Sequence, residues 1–477
     1  MVATNLTIIT RMNRTGNPVG LLSRLCYYTL ALSVFLLWSS SLSAAESPVE
    51  KILPNGLKVI LLENHKAPLV TFQVWYRVGS RNEEWGKTGL SHMLEHMMFK
   101  GTEKIGQGQF SKIVEENGGD DNAFTSADYT AYFENIGADR IEVPIMLEAD
   151  RMRGLLLKEE EFKMERSVVM EERRLRTEDE AKALLRESIE ATAFQVQPYH
   201  WPVIGWMEDI EGFTVNDVRR HYDTFYGPSN AFIIVVGDFN GKTLLPLIEG
   251  AFGAIKGGPP PRQEGMREQP QKGERKIVVK KEAQLGAIAK EYHVPTVLDD
   301  DSYSLDLIQT LLSSGESSRL YRKLVQEQQL ALSIDADNHS MSKDPNLFSI
   351  SADIMPGKTA EEVEAALITE IVRLQKEPVE ERELEKAKNQ LEASLMFMRD
   401  SIFYQAMSLA EYEIVGSWKD LDNYIPKIRK VSSKDVMAAA NKYLVPDNCT
   451  TGILVPLPAK EGKGIESGPS GGGHTVR

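Results

Sequence analysis

Cysteine is nearly absent from this chain, with two in 477 residues, Cys26 and Cys449. Cys26 falls in a segment read below as a removable leader. No internal disulfide can then form in the remainder, and cysteine-based zinc ligation and CxxC redox chemistry are excluded. Histidine is scarce, at eight. Basic charge is in deficit: 55 Lys plus Arg against 69 Asp plus Glu leave a net charge of -14. That balance argues against a nucleic-acid backbone as the main partner. Long apolar runs are also missing. The run from Leu25 to Trp38 has 14 residues, short of the roughly 20 that a membrane-spanning helix needs. What remains, 42% hydrophobic and 26% charged, is the composition of a soluble globular chain long enough for two domains.

The short apolar run has a context. Arg11, Arg14 and Arg24 precede it with no acidic residue, and Ser43 and Ala45 follow it at the spacing of a small-residue cleavage site. The pattern is that of an export signal over residues 1–45, or of an uncleaved anchor, which places the rest in a periplasmic or extracellular compartment. Residues 256–275, rich in Gly, Pro, Gln and charge, read as a linker between halves at 46–255 and 276–457. The Gly-rich end, 458–477, reads as a disordered tail. The halves look duplicated. Residues 213–239 align without a gap on 431–457, pairing Asp217 with Asp435, Pro228 with Pro446 and Asn230 with Asn448. Strand patterns at 57–64 and 69–80 suggest a hairpin joined through Lys66, Ala67 and Pro68, and 126–136 suggests a further strand. Helical patterns fall at 86–99, 108–117, 141–154, 160–176 and 379–415. Strands and helices do not alternate strictly, so the expected class is α+β, with sheets covered mainly on one face.

The chemistry concentrates in GLSHMLEHMMFKGT, residues 89–102. On a helix ended by Gly101 in a left-handed cap, His92 and His96 are i and i+4, and Glu95 points near the same spot. Two imidazoles with a carboxylate beside them suit a zinc ion with an open position. A pair of satisfied core histidines is the alternative. A catalytic zinc needs a third protein ligand from elsewhere. Residues 160–176 offer one: Phe162, Glu165, Val168, Val169, Glu172 and Leu175 make one helical stripe, and carboxylates among apolar neighbours need a cation. If the stripe is rotated, both glutamates are solvated.

The inverted motif His-x-x-Glu-His, followed 76 residues after His96 by Glu172 in ERSVVMEE, resembles the pitrilysin/insulinase family of zinc peptidases. The stretches at 53–83, 118–133 and 199–210 are similar to the family's other recurring segments. Together they span about 50–457, in the manner of its shorter, mitochondrial-processing-peptidase-like bacterial members. The resemblance implies one zinc per chain held by His92, His96 and Glu172, with Glu95 activating the water and Glu165 orienting a ligand. It implies an edge strand at Asn122, Ala123 and Phe124 that pairs with an extended peptide substrate. Taken from the residues alone, Asn122 would be a turn residue. It also implies two homologous domains, each an antiparallel-rich sheet with helices, facing each other as half of a clamshell. The second half carries no metal motif. Where many members have an arginine and a tyrosine, this chain has Val325 and Leu332. A homologous subunit supplying that pair in a heterodimer is therefore expected, with a homodimer, compensation by Arg319, Tyr321 or Arg322, or a pair that is dispensable, as alternatives. The expected activity is endopeptidase; a non-catalytic assembly subunit on the same fold is the competing reading.

Overall fold

The computed structural model describes residues 47–262 and 266–458, so the leader and the residues from 459 onward lie outside it. The first sheet is built from β1 (Val49–Ile52), β2 (Lys58–Glu63), β3 (Leu69–Tyr76), β4 (Asp120–Thr125), β5 (Thr130–Gly137) and β6 (Ala231–Gly237). The second is built from β7 (Arg275–Glu282), β8 (Ala287–Val294), β9 (Ala331–Asn338), β10 (Asn346–Ile354) and β11 (Cys449–Leu457). The strand orders are β1-β2-β6-β3-β5-β4 and β7-β11-β8-β10-β9.

The second order repeats the first without β1. β6 lies parallel to β2 and antiparallel to β3, as β11 lies parallel to β7 and antiparallel to β8. The aligned sequence segments form matching units in both halves. Thr214 with Asp217, and Ser432 with Asp435, are reciprocal capping boxes. After each helix an Asn amide ties back to a carbonyl five residues earlier, Asn230 to Phe225 at 3.0 Å and Asn448 to Tyr443 at 2.9 Å.

Three local expectations need correction. β2 and β3 do not pair, because β6 separates them. Every residue of β6 is buried: β2 and β3 pair along its two edges, and its alternating side chains enter a core on each face. The stretch 379–415 is two helices, Glu381–Met398 and Ile402–Val415. Ser401 starts the second by accepting the Tyr404 N–H, a cap that ends the first run. The sheets are also covered on both faces, each receiving a helix from the other half.

On the first sheet, Ala231, Ile233 and Val235 of β6 face one core, with Phe72, Met93, Leu94 and Val169. Phe232, Ile234 and Val236 face the other, where Ala406, Leu409, Ala410 and Ile414 of the helix Ile402–Val415 lie on them. Conversely, Leu185 and Ile189 of the helix Ala181–Ala193 pack on Ala287, Ala289 and Leu454 of the second sheet. Burying one such Leu or Ile contributes about 2 kcal/mol, so the two crossing helices are integral to both cores. Glu413, 2% exposed, receives Lys58 at 2.8 Å and Arg77 at 2.5 Å from the first sheet. Breaking a buried pair of this kind leaves unpaired charge inside.

Glu411 on the same crossing helix is raised from 4.5 to about 7 by burial. The folded state therefore holds this proton more tightly than the unfolded chain, and the associated stability is lost as pH rises from about 4.5 through about 7. Chemical unfolding of the wild type and Glu411→Gln across that range should show the wild type losing stability relative to the variant as pH rises. A difference that does not change with pH would contradict this.

Candidate metal centre

The motif helix spans Leu90–Met97 and buries Leu90, Met93, Leu94 and Met97 against the first core, which turns His92 and His96 toward the opposite side. Gly101 closes the segment at φ 100°, where a Cβ would lie 2.8 Å from Gln107 N. The second helix, Glu159–Arg173, buries Phe162, Glu165, Val169 and Arg173. Val168 and Leu175 are 50% and 59% exposed, so the stripe read from sequence is rotated toward Arg173. Only Glu165 of its two carboxylates lies deep, and Glu172 sits at the edge with a 17% exposed side chain.

This rotation still brings the donors together. One ligand atom each from His92, His96 and Glu172 lie within 4.8 Å of one another. Glu172 Oε2 is 3.8 Å from His92 Nε2 and 3.2 Å from His96 Nε2. Zinc bonds of about 2.0–2.1 Å in a tetrahedron put neighbouring donors about 3.3 Å apart, so the set fits that ion. Glu165 Oε1 meets His96 Nδ1 at 2.9 Å, while its other oxygen meets Lys100 Nζ at 2.5 Å. Carboxylate support of this kind fixes a ligand's ring and tautomer. His92 has none: its Nδ1 is buried with no hydrogen-bond partner.

Electrostatics separate the two histidines. Burial, reinforced by His96, holds His92 neutral down to about 3. Burial opposes charge on His96 too, but Glu165 and Glu172 outweigh it and lift His96 to about 9. A cation and a proton thus compete for His96. Burial raises Glu172 as well, yet His96, His92 and Arg176 bring it down to about 2. Arg176 Nη1 reaches Glu172 Oε1 at 2.9 Å. Glu95 is raised by burial, against the pull of a 2.5 Å hydrogen bond from Thr125 Oγ1.

Thr125 is the last residue of β4, the final strand of its sheet. Asn122, Ala123 and Phe124 therefore lie in an edge strand and not in a turn, registered on Phe133, Tyr132 and Ala131 of β5. In the second half, Val325 is partly buried against that core and Leu332 is 43% exposed. Arg319 is held by both oxygens of Glu383 at 2.8 and 2.6 Å, and Arg322 lies 3.6 Å from Glu327. A cavity of about 1530 Å³ lined in part by Arg153, Arg219 and Lys256 contains none of His92, Glu95, His96, Glu165 and Glu172. Sequence reasoning missed Thr125, Lys100 and Arg176. The last two stand i+4 from His96 and Glu172, a signal that was there to be used; Thr125 depends on how the sheet is built.

A helix-borne pair of imidazoles joined by a carboxylate from a second helix, on a duplicated α+β chain, defines a class of metal centre. The known proteins agree. Residues 58–205 match the description "Insulinase (Peptidase family M16)" and residues 212–391 "Peptidase M16 inactive domain". A Helicobacter pylori protein named "Zinc protease PqqE" is 35% identical over 413 residues, 85% of this chain and 92% of that protein. The crystal structure of a protease from Helicobacter pylori shares 34% identity at a TM-score of 0.83, over 86% of this chain and 100% of that one. The periplasmic protease PqqL from Escherichia coli, at 18% identity and a TM-score of 0.72, shares the fold; 86% of this chain covers 48% of it. The chain belongs to the insulinase family, peptidase family M16.

Glu165→Gln should weaken zinc binding about 10- to 100-fold, read by competition with a chromophoric chelator. Undiminished affinity would show that Glu165 does not support His96.

Proposed function

We propose that this chain is a zinc-dependent endopeptidase acting on extended peptides or small unfolded proteins, with one zinc held by His92, His96 and Glu172. The observation that carries the reading is the convergence of three donors of the right kind within 4.8 Å, with Glu95 one residue from His96. When bound, zinc lowers the pKa of water toward about 7 and polarises a carbonyl. Glu95 then takes the proton of the attacking water on a carboxylate oxygen and passes it to the leaving amine nitrogen. Burial raises its proton affinity toward that task, while Thr125 occupies Oε2.

Substrate lies along β4. β4 is the last strand of its sheet, so Asn122, Ala123 and Phe124 bind an extended peptide by main-chain pairing with little demand on sequence. The catalytic domain is 46–255, joined by the linker 256–275 to a non-catalytic homologue at 276–457. Zinc proteases among the relatives support the metal and the reaction. The periplasmic protease PqqL, of which this chain matches 48% of the length, supports export and a second homologous unit.

That second unit is a homologous subunit in a heterodimer, carrying the arginine and tyrosine that this chain replaces with Val325 and Leu332; a homodimer, the alternative, would not supply them. Arg319 is already engaged by Glu383, which disfavours compensation by that residue.

Glu95→Gln should keep zinc and lose peptide hydrolysis by about 1000-fold; turnover within a few-fold of wild type would sink the assignment. The isolated chain should have far less peptidase activity than the chain mixed with its partner homologue. Equal activity alone would exclude the partner.

A further inference from the structure

The motif helix begins without a capping side chain. Its N-cap is Gly89, in the left-handed region at φ 92°, which has nothing to offer the N–H groups of the first turn. A carboxylate from upstream takes that place. Glu83 accepts the Gly89 N–H on Oε2 and the Ser91 N–H on Oε1, each at 2.6 Å. It is 7% exposed. Two short amide bonds fix both oxygens of this carboxyl group at the positive end of the helix, opposing the burial that raises Glu83 to about 8.

A second carboxylate extends the hold. Asp209 Oδ2 accepts the Thr88 N–H at 3.1 Å and the Thr88 hydroxyl at 2.6 Å, and Trp206 N–H donates to that hydroxyl at 3.0 Å. The backbones then touch directly. A Cβ on Gly89 would stand 2.3 Å from Ile204 O, and one on Gly205, at φ 86°, 2.1 Å from Thr88 O. The residues before His92 are therefore clamped from two directions by groups that touch none of the three donors.

We infer that Glu83 is a positioning residue for the reaction proposed above, and the inference rests on that zinc-peptidase reading. The motif helix has only eight residues, and His92 is its third. Fraying of the first turn would move His92 directly, while Glu172 arrives on a separate helix that would not follow. Glu83 sets the rotation and axial position of the motif helix, and so the meeting of its imidazoles with Glu172. An ordinary cap would add stability alone.

The test uses the full chain as wild type, Glu83→Gln, Asp209→Asn and Thr359→Ala, the last removing the capping box of the remote helix Ala360–Lys376. Zinc affinity by chelator competition, kcat and KM on a peptide, and the thermal midpoint are read on each. Glu83→Gln should weaken zinc at least about 10-fold and lower kcat about 10- to 100-fold, with KM within about two-fold. Thr359→Ala should lower the thermal midpoint and leave the other readings unchanged. Glu83→Gln with a lowered midpoint but wild-type zinc affinity and kcat overturns the inference. Should it fail to fold, Asp209→Asn with wild-type zinc affinity and kcat overturns it equally, and a loss in both supports it. A wild-type chain that neither binds zinc nor cleaves peptide overturns the peptidase reading instead, before any substitution is compared.

Discussion

Glu165 and Glu172, one helical repeat apart, meet His96 from a second helix, and the candidate centre depends on that junction. Neither helix could assemble it alone. The motif helix provides two imidazoles and the base Glu95 but no third ligand, and Glu159–Arg173 provides Glu165 and Glu172 but no imidazole. Packed together, they hold His96 between two acceptors, at 2.9 and 3.2 Å. The same contacts that draw a proton onto His96 leave a donor set spaced for a tetrahedral ion.

The rest of the architecture keeps that junction in place. The motif helix rests on the first core through Met93 and Leu94, and its start is clamped by Glu83 and Asp209. The sheet beneath is covered from behind by a helix of the second half, and Glu413 on that helix ties down Lys58 and Arg77. The second half, duplicated in strand order and in capping boxes, thus completes the first half's sheet while carrying no metal motif of its own. Its counterpart of the motif helix, Asp301–Ser313, has no histidine.

Local periodicity carried much of this information and tertiary packing carried the remainder. The i, i+4 spacing of His92 and His96 could be read directly, and the α+β class, the family and the repeat that pairs Asn230 with Asn448 were legible as well. The carboxylate helix was recognised, but its buried face was misjudged, because a pattern that counts Val168 and Leu175 as core cannot know they stay exposed. The hairpin from β2 to β3 was wrong for a related reason: the strand that parts them lies far along the chain. The exchange of helices between halves, the hydrogen bond from Thr125 to Glu95 and the grip of Glu83 on Gly89 and Ser91 join residues whose proximity exists only in the fold.

The central claim is that one zinc sits between the two helices. Anomalous diffraction from a crystal of the full chain, measured on both sides of the zinc absorption edge, tests it most directly. The account predicts a single strong zinc peak per chain at the Nε2 atoms of His92 and His96 and the carboxylate of Glu172. A zinc-replete crystal with no peak there, or with its peak elsewhere on the chain, would contradict it.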